Sequence, residues 1–168
     1  MSSLKKTAEV NIQPDNFSIN DLSDEIRVDQ LCQTLLKHFH QHLLDSGHFS
    51  PLESGSMAAG ADYFLRDYVI DSLRSNIFHI SARQVRGFAG NWYVHRNLEP
   101  NMKELEVMLK GVQEFYCYCA DNRWIETMVS NEIAAICCAL DYFRERIDSF
   151  HALTGDDYPG WCQQCPTN

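Results

Sequence analysis

The chain has 168 residues, 45% of them hydrophobic and 22% charged, with a net charge of −9. That length fits one domain built around one core, and the composition excludes a disordered or fibrous chain. The acids are dispersed and no Lys/Arg-rich run occurs, which argues against nucleic acid as a partner, because a phosphate backbone needs a cationic surface to release its counterions.

Residues 1 to 20 are polar and aperiodic, and they read as a mobile N-terminal arm. Lys5 and Lys6 are followed by no apolar run, so no signal peptide is expected, and no window approaches the roughly 18 continuous apolar residues of a membrane span. A cytoplasmic protein is the expectation. Seven cysteines, an odd number, then read as reduced thiols and not as a disulfide framework.

From Ala61 to His151 the apolar residues recur at three- and four-residue spacing, which predicts an all-α fold. Helix one is expected from Ser23 to Gly47, with Val28, Leu31, Cys32, Leu35, Leu36, Phe39 and Leu43 inward and Gln30, Gln33, Lys37 and His40 outward. Ser50-Pro51-Leu52-Glu53 forms a capping box and starts a short helix. Gly55, Ser56 and Gly60 weaken it, so a break before Ala61 is expected. Helix two follows from Ala61 to Arg74, and its apolar residues cover more than one face, which suggests a central position.

Ser81 and Gln84 make a second capping box, and Val85, Phe88, Ala89, Trp92 and Tyr93 give helix three its stripe. Gly87 and Gly90 within that helix suggest close approach of another backbone. Asn101 with Glu104 opens helix four, striped from Met102 to Cys119. Asp121-Asn122 reads as a turn, and helix five is expected from Thr127 to Leu153, stopping at Gly155. Helices four and five should form a long C-terminal hairpin. The domain is thus a compact bundle of about five main helices over residues 21–155, and the tail 156–168 docks on it through Tyr158 and Trp161.

Cys162-Gln163-Gln164-Cys165 is the sharpest chemical motif, since two thiolates at this spacing can bind zinc or close a reversible disulfide. A structural zinc site needs four ligands and no second such pair exists, so His151 and Cys32 or a histidine of helix one are the partners the fold would have to supply. His38 and His42, four apart on one helical face, can chelate an ion, but phenylalanine in place of glutamate after His38 excludes a metalloprotease. Asp62, Asp67 and Asp71 suggest magnesium sites without matching a known pair. The chain contains no Glu-x-x-His, which counts against a di-iron bundle. Cys119 and Cys137 read as buried thiols, and Cys117 and Cys138 point away from the stripes.

No catalytic constellation stands out. The expected role is a non-enzymatic module for association with another protein or with itself, with Tyr158 and Trp161 as interface-prone aromatics and no cofactor. The alternative is a metal-binding or thiol-redox sensor built on Cys162, Cys165 and a histidine. Were the chain an enzyme, Asp67, Asp71, His95 and His151 would be the first residues to test.

Overall fold

The computed structural model describes residues 11–167, and these are all-helical, with no strand among them. Residues 1–10 of the expected arm lie outside the described residues. The rest of that arm is tied down: a 3₁₀ turn at Pro14–Phe17 buries Phe17 edge-on against Phe78 at 4.9 Å, and the Asn76 side chain donates to the Pro14 carbonyl at 2.9 Å.

Helix α1 runs Leu22–Ser46, where the Asp21 carboxylate accepts from the Asp24 amide at 2.8 Å and Gly47 closes the end at φ 70°. A left-handed C-terminal residue is the usual place for glycine. Helix α2, Pro51–Asp62, opens with the expected capping box, Ser50 Oγ accepting from the Glu53 amide and the Glu53 carboxylate from the Ser50 amide. The expected break before Ala61 is absent. The rod continues directly into a π-helical segment, Tyr63–Ser72. Gly60 serves packing instead of bending: a Cβ there would lie 2.7 Å from Met108 Cα on a neighbouring helix.

A second rod is continuous from α3, Ala82–Gly87, through a π-helical segment, Phe88–Trp92, into α4, Tyr93–Arg96. At its start Gln84 Oε1 accepts from both the Ser81 amide and the Ser81 hydroxyl. Helix α5, Met102–Asp121, is capped by the Asn101 side chain, which accepts from the Glu104 amide at 2.9 Å.

The single long helix expected from Thr127 to Leu153 is in fact two, α6 at Thr127–Cys137 and α7 at Leu140–His151. The Leu140 amide turns back onto the Cys138 carbonyl at 2.8 Å. No glycine or proline marks this corner. Tertiary packing overrides a locally helical sequence, because α6 lies on α5 and α3 whereas α7 lies on the π segment Phe88–Trp92. Helix α8, Tyr158–Gln163, then carries the tail back onto the second rod. No helix of the described residues is long and apolar enough to cross a membrane.

The tightest helix pair is α2 with α5. At the crossing, Gly60 faces the Met108 backbone and Gly111 faces the Met57 carbonyl, so closely that a Cβ on either glycine would overlap backbone. Buried Phe39, Phe64, Phe115 and Tyr116 surround this contact, and the Tyr116 hydroxyl donates to the Ile77 carbonyl at 2.8 Å. We predict that Gly111→Ala destabilises the domain by about 3 kcal/mol through overpacking. Gly160→Ala, in α8 with nothing within 4 Å of the new methyl, should be neutral or slightly stabilising. Urea unfolding of the two variants checks both.

Candidate functional site

Two of the buried polar side chains, Asn91 and Arg146, lie where the tail meets the second rod. Arg146, on α7, is 4% exposed and meets no carboxylate among the described residues. Its guanidinium is satisfied by carbonyls instead: Nε donates to Gly90 O at 2.8 Å, Nη2 to Trp161 O at 2.8 Å and Nη1 to Gln164 Oε1 at 3.3 Å. The guanidinium carbon also sits 3.9 Å over the Trp161 ring. The planar fork and weak hydration of arginine suit both contacts.

Beyond Trp161 the tail follows a track of small residues. A Cβ at Gly87 would lie 2.6 Å from Pro166 O, and one at Gly90 would lie 2.8 Å from Cys165 Sγ. The close approach expected at these glycines is therefore made by the C-terminal segment. Asn91 Nδ2 donates to Cys165 O at 2.8 Å and Cys162 O at 3.3 Å, and the Tyr68 hydroxyl donates to Thr167 O at 2.8 Å. Burial pushes the Tyr68 pKa up, so that hydroxyl stays a donor.

The two motif cysteines are not equivalent. Cys165 is fully buried, with Sγ donating to Arg86 O at 3.4 Å. Cys162 is half-buried at the mouth of a pocket of about 390 Å³ lined also by Asn91, His95, Gln163, Pro166 and Thr167. The histidine sharing this pocket is His95, and its pKa is lowered by burial and by neighbouring Arg96. The sequence reading had grouped His95 with Asp67 and Asp71 and had looked elsewhere for a partner to the thiols. His151 is exposed at the end of α7. His38 and His42 are exposed on α1, with His42 against the Tyr118 ring at 4.8 Å. Among the described residues, no group of three or more His, Cys, Asp or Glu side chains is placed to hold a metal ion.

The two interface-prone aromatics also differ. Trp161 is 3% exposed, and its Nε1 donates to Ser149 Oγ at 3.0 Å, so it is an internal anchor; Tyr158 is 42% exposed. Sequence reasoning missed Arg146, Asn91 and Tyr68 as the groups that hold the tail. For Arg146 a signal existed: with Phe143, Ile147 and Phe150 it falls at offsets 0, 3, 4 and 7 on the apolar stripe of its helix.

A second polar region runs between α1 and the segment Tyr63–Ser72. Arg66 bridges Asp29, at 2.8 Å from Nε to Oδ1, and Asp62, at 3.3 Å. Its hydrogen bonds hold the Asp29 carboxyl below its ordinary range. Asp67 moves the other way, raised by burial and then by Asp62. Asp71 lies with Leu22, Glu25, Ile26 and Asp29 in a groove of about 300 Å³. Glu25 Oε2 is buried there with no hydrogen-bond partner, 3.6 Å from Arg74 Nε. His40, expected on the outward side of α1, instead has a buried, unpartnered Nε2 turned towards Gly55 of α2.

Compared with protein-family models, curated proteins and solved structures, the chain matches none of them.

Arg146→Met should cost about 3 kcal/mol in urea unfolding, because it leaves the Gly90 and Trp161 carbonyls buried without donors. Arg146→Lys should lose nearly as much, since an ammonium cannot reproduce the fork. Thiol titration provides a separate check. Cys117, Cys138 and Cys162 should react in the native protein, whereas Cys32, Cys119, Cys137 and Cys165 should react only after denaturation. Burial raises the pKa of Cys117 and pushes that of Cys137 up to about 12, so Cys117 should be slow among the accessible thiols.

Proposed function

We propose that this protein is a non-enzymatic interaction module of the cytoplasm, and that the open side of α1 receives a basic amphipathic helix of another protein. One observation carries this reading: Leu22 and Ile26, 65% and 56% exposed, stand one turn apart on the rim of a groove that also holds Glu25, Asp29 and Asp71, three acids against the single cation Arg66. An apolar pair beside carboxylates fits a helix that presents leucine-like anchors next to lysine or arginine. Two copies of the chain meeting through this face would bring together two surfaces that each hold three acids to one arginine, an excess of like charge that favours an unlike partner over self-association. The same reading takes the domain as a bundle with α5 and the helices after it as its spine, leaving α1 free to bind on its outer side.

The test is a fluorescence titration with a synthetic amphipathic helix of leucine and lysine, run beside a leucine and glutamate control. The expected result is salt-sensitive binding of the basic peptide alone, weakened at least about tenfold, or ~1.4 kcal/mol, by Leu22→Ser with Ile26→Ser. Glu25→Gln should weaken it and flatten the salt dependence. Equal binding of the acidic control, or binding unaffected by the double variant, overturns the proposal. Sedimentation showing a dimer that the double variant dissolves assigns the face to a second copy instead.

A further inference from the structure

We propose that Cys162 and Cys165 form a modification site for low-molecular-weight disulfides, at which thiol–disulfide exchange closes a Cys162–Cys165 bridge and lifts the C-terminal segment off its glycine track. This site lies wholly in the tail and is independent of any partner at α1. The Cys165 amide donates to the Cys162 carbonyl at 3.2 Å, so the two residues are the ends of one tight turn. Such a turn holds its end Cα atoms within about 7 Å, and a disulfide spans Cα separations of roughly 4.4 to 6.8 Å.

Access divides the labour between the two sulfurs. Cys162 borders the open pocket beside His95. Cys165 is sealed inside. Cys162 is therefore the thiol that meets a reagent, and Cys165 resolves the adduct. With oxidised glutathione, the Cys162 thiolate attacks one sulfur, breaking the glutathione S–S bond and releasing one glutathione thiolate. Cys165 then gives its proton to water and attacks the Cys162 sulfur, releasing the second glutathione. One disulfide is exchanged for another, the two cysteines are oxidised, and the glutathione pair carries off the two electrons.

Closing the bridge removes the sulfur that anchors the tail. Cys165 Sγ is engaged with Arg86 O and lies against Gly90, where a single Cβ would come within 2.8 Å of it. Turning that sulfur towards Cys162 breaks the contact with Arg86. The residues that follow directly, Pro166 and Thr167, then keep among the described residues only the hydrogen bond of the Tyr68 hydroxyl to the Thr167 carbonyl, which breaks as the segment lifts. Release uncovers Gly87 and Gly90, a strip of helix backbone that only a closely approaching chain can cover.

The experiment uses the full chain carrying Cys117→Ser and Cys138→Ser, which removes the two exposed thiols. It is incubated with oxidised glutathione and examined by intact mass, peptide mapping and hydrogen exchange. The expected product has lost two hydrogens, maps to a Cys162–Cys165 bridge, and exchanges amides at residues 163–167 at least about tenfold faster than the reduced protein. Adding Cys165→Ser should trap a stable glutathione adduct on Cys162, and adding Cys162→Ser should abolish reaction under native conditions. Three results each overturn the proposal: no reaction in the parent, an adduct on Cys162 that Cys165 never resolves, or a bridge that leaves exchange of the tail unchanged.

Discussion

The architecture depends on the crossing of α2 and α5, where two helix backbones touch because Gly60 and Gly111 carry no side chains. Contact this close brings main-chain atoms of one helix against the other at both glycines, and dispersion gains scale with the number of such close pairs. It also fixes what can follow. With α2 pinned at Gly60, the next residues point Phe64, Leu65, Tyr68 and Val69 in several directions, all buried. The π register of Tyr63–Ser72 accommodates this, because each widened turn rotates the side chains relative to an α-helix.

The second rod meets the first through that widened segment. Phe64 and Phe88 stack edge to face at 5.0 Å, and Tyr68 lies 5.4 Å from Phe88 and 5.3 Å from Trp92. Both π-helical segments thus face one another across an aromatic layer. Such layers add specificity beyond their buried area, since ring quadrupoles favour these tilted and edge-on arrangements. Tyr68 extends through the layer, with its ring in the core and its hydroxyl on the Thr167 carbonyl. The tail is in this way fastened to the same packing that the glycine crossing sets up.

How much of this was legible in the sequence follows from range. Features decided within one or two turns could be read: the capping boxes at Ser50 and Ser81, the Asn101 cap, the Gly47 stop, the all-helical period and the need for a close neighbour at Gly87 and Gly90. Features decided by distant contacts could not. Nothing local distinguishes Gly60, which packs, from a glycine that bends a helix, and nothing near Cys138 announces a corner. That His95, and not His151, shares a pocket with Cys162 depends on α8 folding back across the second rod, a relation between segments far apart in the chain. Trp161 looked like an interface residue because composition cannot distinguish an aromatic that meets a partner from one that meets its own Arg146.

The corner at Cys138 and the buried guanidinium explain each other. A straight helix from Thr127 onward would follow α5 and carry Arg146 away from Gly90; the turn at Ala139 redirects α7 onto the π segment and brings the guanidinium to three acceptors. An apolar residue of similar volume could fill that space, at the cost of leaving the Gly90 and Trp161 carbonyls buried without donors. It could not impose the same alignment. The fork of Arg146 is satisfied only when the second rod, α8 and the residue after it bring Gly90 O, Trp161 O and Gln164 Oε1 to it together, so a misplaced tail would leave a buried charge short of partners. Arginine here makes docking of the tail all-or-none, where a purely apolar contact would tolerate sliding along a track of small residues.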